Sequence, residues 1–282
     1  MADIVWYPGH MAKAKRLIKE SLPNIDMVIE LLDARAPISS KNPDFNSLFN
    51  NKPVLTLLTK SALADPEITK KFERSLESDG RKVISIDCKA GQGIKNIQPA
   101  IRSLMSEKLK RDAERGIKRP IRAMIVGITN VGKSTLINTI CGSKKAVAQD
   151  RPGVTRHNSR IPVPSLGLEL TDTPGILWHK FDDRQVGIKL AALGSIKDEI
   201  LDTLELSCLL IGIIRKDYAK CLEERFKIEI DENDDNYDIF EKIARKRGFI
   251  RSGGVIDEDR AAGVILDEFR GGKIGRITLD RE

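Results

Sequence analysis

A chain of 282 residues, 40% apolar and 32% charged, can bury one sizeable core and a second smaller one, so two domains are expected. No run approaches the roughly 18 to 20 uninterrupted apolar residues of a membrane span, and Met1 to His10 lacks the basic-then-apolar layout of a secretory signal; the expectation is a cytoplasmic protein with no membrane partner. A net charge of +7 and a pI near 9.2 suit a polyanionic partner without identifying one, and the four cysteines (Cys88, Cys141, Cys208, Cys221) form no C-x-x-C pair, which disfavours structural zinc and disulfides and predicts reduced, mostly buried thiols.

In chain order, W-Y-P-G-H (Trp6 to His10) is an aromatic and glycine turn leading into a helix over Met11 to Leu22, with Met11, Ala14, Ile18 and Leu22 on one face. Lys13, Arg16 and Lys19 line another face, read as solvated. Met27 to Leu32 is an apolar run of strand length followed by D-A-R-A-P (Asp33 to Pro37), polar residues that suggest the functional rim of an α/β sheet. Val54 to Leu58 is the next strand, stopping at Thr59-Lys60-Ser61-Ala62. Asp65-Pro66 reads as a helix N-cap and first turn, with Ile68, Phe72 and Leu76 as the buried stripe. Lys82 to Ile86 is a third strand, ending in Asp87-Cys88-Lys89-Ala90-Gly91, and a helix follows with Ile94, Ile97, Ile101 and Leu104 on one side. The basic segment Lys108 to Arg122 reads as a helix end and connector.

Next comes G-I-T-N-V-G-K-S (Gly127 to Ser134), directly after the buried strand Ala123 to Val126 and before a helix over Ser134 to Cys141. The spacing G-x-x-x-x-G-K-S/T matters because a loop that wraps a phosphate turns its N–H groups inward, and side chains at Gly127 and Gly132 would obstruct it. Lys133 adds charge near the β- and γ-phosphates, and the Ser134 hydroxyl can ligate Mg²⁺. The amides of Val131, Gly132 and Thr135 belong to the same anion-binding turn and helix start. Gln149 to Arg156 has the composition of a mobile loop. Leu166 to Leu170 leads to Asp172-Thr173-Pro174-Gly175, where Asp172 is the expected second Mg²⁺ anchor and the Gly175 amide can register the γ-phosphate.

Beyond Trp178 amphipathic segments dominate: Val186 to Leu201, Leu204 to Arg215, Tyr218 to Phe226, Tyr237 to Arg247 and Glu258 to Phe269, with Gly248 and Gly271 where helix C-caps belong. The acidic stretch Asp231 to Asp238 is read as a solvated loop, since its spacing does not fit an EF-hand. Lys242, Arg245, Lys246, Arg247 and Arg251 form a basic cluster, either a solvated face or an RNA contact. The expected fold is an α/β nucleotide domain over residues 1–180, a mostly parallel sheet flanked by helices, followed by a helical domain over 181–282.

The order of motifs is informative. Guanine-reading elements normally follow a phosphate loop, yet Thr59-Lys60-Ser61-Ala62 sits where N-K-x-D would be and Cys88-Lys89-Ala90 where S-A-K would be, both upstream of Gly127. A permutation of this kind is cheap because domain termini often lie close together. It joins the Asp172 loop, which responds to the γ-phosphate, directly to the helical segment.

This order, with W-Y-P-G-H-M-A-K-A, D-A-R-A-P, G-I-T-N-V-G-K-S, P-G-V-T and D-T-P-G-I-L-W, closely resembles the ribosome biogenesis GTPase A family, the YlqF group of circularly permuted GTPases. The resemblance covers nearly the whole chain. It implies binding of GTP and GDP, docking on a precursor of the large ribosomal subunit and its rRNA late in assembly, and hydrolysis in response; a monomer is expected. It further implies that Asn130 marks potassium-assisted hydrolysis, a K⁺ ion supplying charge beside the phosphates. Thr155 of P-G-V-T matches the switch threonine that closes on Mg²⁺ and the γ-phosphate. Ile176 stands where many GTPases carry a water-orienting glutamine, and the resemblance gives that role to His10; read alone, His10 is a turn residue. His157 and His179 have no metal spacing.

At the base-reading site the chain departs from the pattern: Thr59 replaces asparagine, and Ala62 replaces the aspartate that grips guanine through its N1 and N2 hydrogens. Losing a charged hydrogen-bonding group costs roughly 1.5 to 3 kcal/mol, about ten- to two-hundredfold in affinity, most of it in discrimination against adenine. Lys60 can still pack along the base, and the backbone of Cys88 to Ala90 can still read O6. Asp65 reads as an N-cap rather than a substitute. A GTPase switch is the leading reading; an RNA-docking module with a decayed or unselective nucleotide site is the alternative, and a metabolic kinase finds no acceptor-site motif.

Overall fold

The computed structural model describes residues 8–49, 52–142, 160–178, 181 and 183–281, with backbone alone for 8–14 and 46. The chain forms helix α1 (Pro8–Ser21), strand β1 (Met27–Asp33), α2 (Pro43–Leu48), β2 (Val54–Thr59), α3 (Pro66–Ser75), β3 (Arg81–Ser85), α4 (Ile97–Leu104), α5 (Ser106–Glu114), β4 (Ile121–Gly127), α6 (Lys133–Cys141), β5 (Arg160–Val163) and β6 (Leu168–Asp172). Four further helices follow, α7 (Arg184–Ala192), α8 (Thr203–Phe226), α9 (Asn236–Lys246) and α10 (Glu258–Arg270).

The strands make one sheet in the order β3-β2-β1-β4-β6-β5, parallel throughout except for β5 against β6. β1 and β2 are buried at every position, as continuous apolar strands must be when helices cover both faces. Alternate residues face opposite layers: Ile29, Leu31, Leu55, Leu57 and Ile125 meet Ile97 and Ile101 of α4 and Leu136 and Ile137 of α6. Val28, Val54, Met124 and Val126 meet Ile18 and Leu22 at the α1 end and Phe45 and Phe49 around α2. Each such side chain contributes about 1.5 to 3 kcal/mol on burial. A charged rung crosses the sheet, with Arg81 donating to Glu30 and to the Thr56 hydroxyl.

The expected α/β fold with C-terminal helices is what the chain adopts. Asp65 does cap α3, accepting from the amides of Glu67 and Ile68 at 2.9 and 3.2 Å, with Pro66 in the first turn. The differences are local. α2 and β5 were not anticipated. The two helices read over Leu204 to Arg215 and Tyr218 to Phe226 are one element kinked at Tyr218 (φ −133°, ψ 31°). Gly271 is the C-cap of α10 as expected, with the left-handed turn made by the next residue, Gly272 (φ 71°). The acidic stretch Asp231 to Asp238 has structural duties: Asp235 and Asp238 form a capping box on α9, and Lys242 bridges Asp231 and Asp234. The four thiols are half-buried rather than mostly buried, and burial raises the pKa of Cys208 to about 11. Among the described residues no helix is long and apolar enough to cross a membrane.

One apolar cluster runs without a break from the sheet into α7, α8, α9 and α10. Beyond α10 the chain returns to the rim of the sheet. The Ile277 amide donates to the Leu63 carbonyl and that of Leu279 to Arg35, at 3.1 and 2.6 Å. Arg276 donates to the carbonyls of Ala64 and Ser61 at 2.9 and 3.2 Å, and the Tyr218 hydroxyl donates to Asp65 at 3.1 Å.

At the centre of that rim is Asp33, the last residue of β1, 1% exposed. Arg35 grips both its oxygens at 2.9 Å, and Lys60, just past β2, approaches to 2.9 Å. Burial alone pushes the Asp33 carboxyl upward, but the two cations and their hydrogen bonds outweigh it and hold the group far below the usual carboxylate range. Because the folded value is depressed, the stability Asp33 contributes is complete above the unfolded carboxylate pKa of about 3.9. It is lost as pH falls from there toward the folded value. Asp33→Asn leaves two cations facing a neutral amide and is expected to cost about 3 to 5 kcal/mol at pH 7, read as a lower urea midpoint with unchanged slope. The gap from the parent protein should narrow below pH ~4; a gap that stays constant into acid would show that the charge is not what matters.

Candidate nucleotide site

β4 and β6 run side by side with Ile125 opposite Asp172, so the loops that leave them meet at one edge. The first runs from Gly127 to Gly132, and it is tightly built. A Cβ at Gly127 would sit 2.9 Å from the Leu31 carbonyl oxygen. Asn130 (φ 57°) and Gly132 (φ 106°) both take left-handed backbone, which turns successive amides toward one concavity. α6 begins at Lys133, placing Lys133, Ser134 and Thr135 in its first turn, where the backbone amides and the helix dipole favour an anion. The Lys133 ammonium curls over the loop to the carbonyls of Gly127 and Ile128, 3.2 Å from each. Val131 is buried beneath it.

The second loop presses on the first. The Ile176 amide donates to the Gly127 carbonyl at 3.2 Å, and a Cβ on Gly175 would lie 3.0 Å from both Lys133 Nζ and Thr129 Cα. Only glycine fits there without displacing that lysine. Ser134 and Asp172 offer a hydroxyl and a carboxylate from adjacent element ends, the hard-oxygen donors that Mg²⁺ prefers. The third predicted Mg²⁺ ligand, Thr155, lies outside the described residues, as do His157 and His179. His10 lies in the first turn of α1, and its side chain is likewise outside the described part. Ile176 is buried with Ile18, Leu22 and Val126, so it packs α1 against the Asp172 loop.

At the other end of the site, the Thr59 hydroxyl lies 2.7 Å from the Val131 carbonyl and 3.0 Å from that of Leu32. It shares one proton between them and ties β2 to the phosphate loop. Lys60, with left-handed backbone (φ 56°) and a side chain 27% exposed, donates to the Asn130 carbonyl at 2.7 Å. Its alkyl stem is thus stretched along the cleft. Cys88 is half-buried beside Thr139 of α6, while Lys89 and Ala90 are exposed.

Sequence reasoning missed Asp87, which stands at this junction. Its carboxylate accepts from the Ala90 amide at 2.8 Å and from the Ala62 amide at 3.3 Å. The Ala90 amide is therefore occupied, whereas the Cys88 and Lys89 amides donate to nothing among the described residues. The signal available in the sequence is its place just past a strand and before two glycines, Gly91 and Gly93.

The phosphate loop also touches the helical segment directly. Asn130 Nδ2 donates to the Gly194 carbonyl at 2.6 Å and the Thr129 hydroxyl to that of Ser195 at 2.5 Å. The basic cluster of the tail is less available than its sequence suggested. Lys242, Arg245, Arg247 and Arg251 each pair with an acid of the same helical segment, and Arg247 also stacks on Phe226. Of the five, Lys246 alone has no ion pair among the described residues.

This geometry has counterparts in known proteins. The pattern of the 50S ribosome-binding GTPase family matches residues 122–238. Ribosome biogenesis GTPase A of Bacillus cereus is 45% identical, covering 98% of this chain and 93% of that protein. Its namesake in Thermotoga maritima is 31% identical over 98% and 94%. The GDP-bound structure of TM YlqF superposes with a TM-score of 0.67 at 28% identity, covering 94% of this chain and 99% of that one. Phosphate loop, upstream base-reading loops and near end-to-end likeness agree: the chain belongs to the ribosome biogenesis GTPase A family and is a P-loop GTPase.

Proposed function

We propose that this GTPase is a switch in the late assembly of the large ribosomal subunit. Residues 1–180 hold the nucleotide and residues 181–282 dock on the precursor particle and its rRNA. The observation that carries this reading is the pair of hydrogen bonds from Asn130 and Thr129 to Gly194 and Ser195. The loop that wraps the phosphates, against which the Asp172 loop presses, is bonded straight to the turn between α7 and α8, so nucleotide state and helix pose are coupled through shared atoms rather than through a linker.

In the proposed mechanism the amides of Val131 to Thr135 and the Lys133 ammonium neutralise the phosphates. Ser134, Asp172 and Thr155 would hold Mg²⁺, which supplies charge to the developing transition state. The Gly175 amide faces the γ-phosphate. Asn130 spends its Nδ2 on Gly194, leaving its side-chain oxygen Oδ1 as the atom that would ligate K⁺. Because Ile176 cannot orient water, His10 in the first turn of α1 is the proposed water-positioning group. Monomeric action in the cytoplasm completes the reading.

A second reading, an RNA-docking module with an unselective nucleotide site, has one observation in its favour, Ala62 at the base-reading loop. Steady-state hydrolysis with and without large-subunit precursor, in potassium and in sodium, separates the two. The switch requires stimulation by the particle and a higher rate in potassium; equal rates in both salts would remove K⁺ from the mechanism. His10→Ala should lower turnover by roughly a hundredfold or more with nucleotide affinity intact, and normal turnover would exclude it. Lys133→Ala should abolish both nucleotide binding and nucleotide-dependent release from the particle.

A further inference from the structure

The loop that should carry the guanine-reading carboxylate ends in Ala62, and the acids around it can be taken one at a time. Asp33 is enclosed by Arg35 and Lys60. Asp65 spends Oδ1 on capping α3 and Oδ2 on the Tyr218 hydroxyl. Asp87 differs from both. It is 5% exposed, makes no ion pair among the described residues, and accepts only two hydrogen bonds, one per oxygen, where a carboxylate can accept about four.

Its position is as telling as its state. Asp87 Oδ2 lies 3.3 Å from the Ala62 amide, so the carboxylate has come across from the neighbouring loop to the residue that lacks one. The loop is held rigidly in that approach. Asp87 and Gln92 exchange two backbone hydrogen bonds of 2.9 Å. Gly93 (φ 74°) lets the chain pass so close to β3 that a Cβ there would stand 2.2 Å from the Ser85 carbonyl oxygen. The next two amides, Cys88 and Lys89, donate to nothing among the described residues.

We propose that Asp87 is the guanine-specificity carboxylate of this enzyme, reading N1–H and N2–H across the gap left by Ala62 while the Cys88 or Lys89 amide donates to O6. The inference rests on the nucleotide lying in the site described above, with its base along Lys60. The hydrogen-bonding logic selects guanine. A carboxylate beside a backbone donor matches two donors beside an acceptor, and adenine presents the reverse pattern, an acceptor at N1 and a donor at the 6-position. Two acceptors would then face each other in a desolvated cleft, which is the costly kind of mismatch.

The test is competition binding of GTP, XTP and ATP to the full chain and to three variants. Asp87→Asn keeps Oδ1 for the Ala90 amide and replaces Oδ2 with a donor, which suits the 2-oxo group of xanthine and repels the 2-amino group of guanine. It should weaken GTP by roughly ten- to two-hundredfold and bring XTP above it, an exchange that a merely structural role for Asp87 could not produce. Moving the carboxylate back in the double variant A62D/D87S should restore GTP preference, which guards against a folding defect in either single change. Asp87→Asn that still prefers GTP to XTP overturns the proposal, as does a parent protein that binds ATP and GTP alike. Lys133→Ala separates the levels: it removes all three nucleotides if the site is where we place it, whatever Asp87 does.

Discussion

The buried carboxylate of Asp33 is the constraint on which the rim of this molecule depends. Stripped of water, it requires both of its cations, and each cation belongs to a different part of the machine. Arg35 carries on to the Arg270 carbonyl at 3.2 Å and lies over the Phe269 ring, so it reaches the end of α10. Lys60 carries on to Asn130, so it reaches the phosphate loop. A single charge at the end of β1 thereby fixes the helical segment, the base-reading loop and the phosphate loop to one point, each by bonds whose geometry tolerates little displacement.

The sheet explains why chain order matters so little to the site. β1 lies between β2 and β4, both parallel to it, so the loops after β1, β2, β3, β4 and β6 all emerge at the same edge. Connections to one side of β1 supply the base-reading loops and those to the other side the phosphate and Asp172 loops. The crevice between them is the switch point where α/β sheets bind ligands. Nothing in that arrangement requires the phosphate loop to be made first, and the permuted order alters which segment follows Asp172 without altering what converges.

Much of this was legible in the sequence because the signals were local. A glycine-spaced loop between an apolar run and an amphipathic one can be little else, and Asp65-Pro66 announces a cap. What escaped was non-local. β5 is four residues long, carries Pro162 and is exposed at two of its positions, so its Ile161 and Val163 are too short an alternation to mark a strand, and it exists because β6 offers it an edge. α8 read as two helices because Lys216 and Asp217 interrupt its stripe; its kinked continuity is held by Tyr218 reaching Asp65 and Thr278. Within the tail's basic cluster the partner of Arg247 is equally non-local, since Glu268 comes from α10. Asp87 was passed over for the same reason, since its significance lies in its distance from Ala62 and no window of sequence contains both.

The bracing of the base-reading loop by the returning segment has a temporal side. Ala64 receives its bond from Arg276, 212 residues downstream, whereas Lys133 closes on the carbonyls of Gly127 and Ile128 only six and five positions away. At about 5 to 20 residues per second, a translating ribosome needs on the order of 10 to 40 s to span that interval. The phosphate loop is itself made within that interval, so the loop that follows β2 receives its last brace only after the neighbouring phosphate loop already exists.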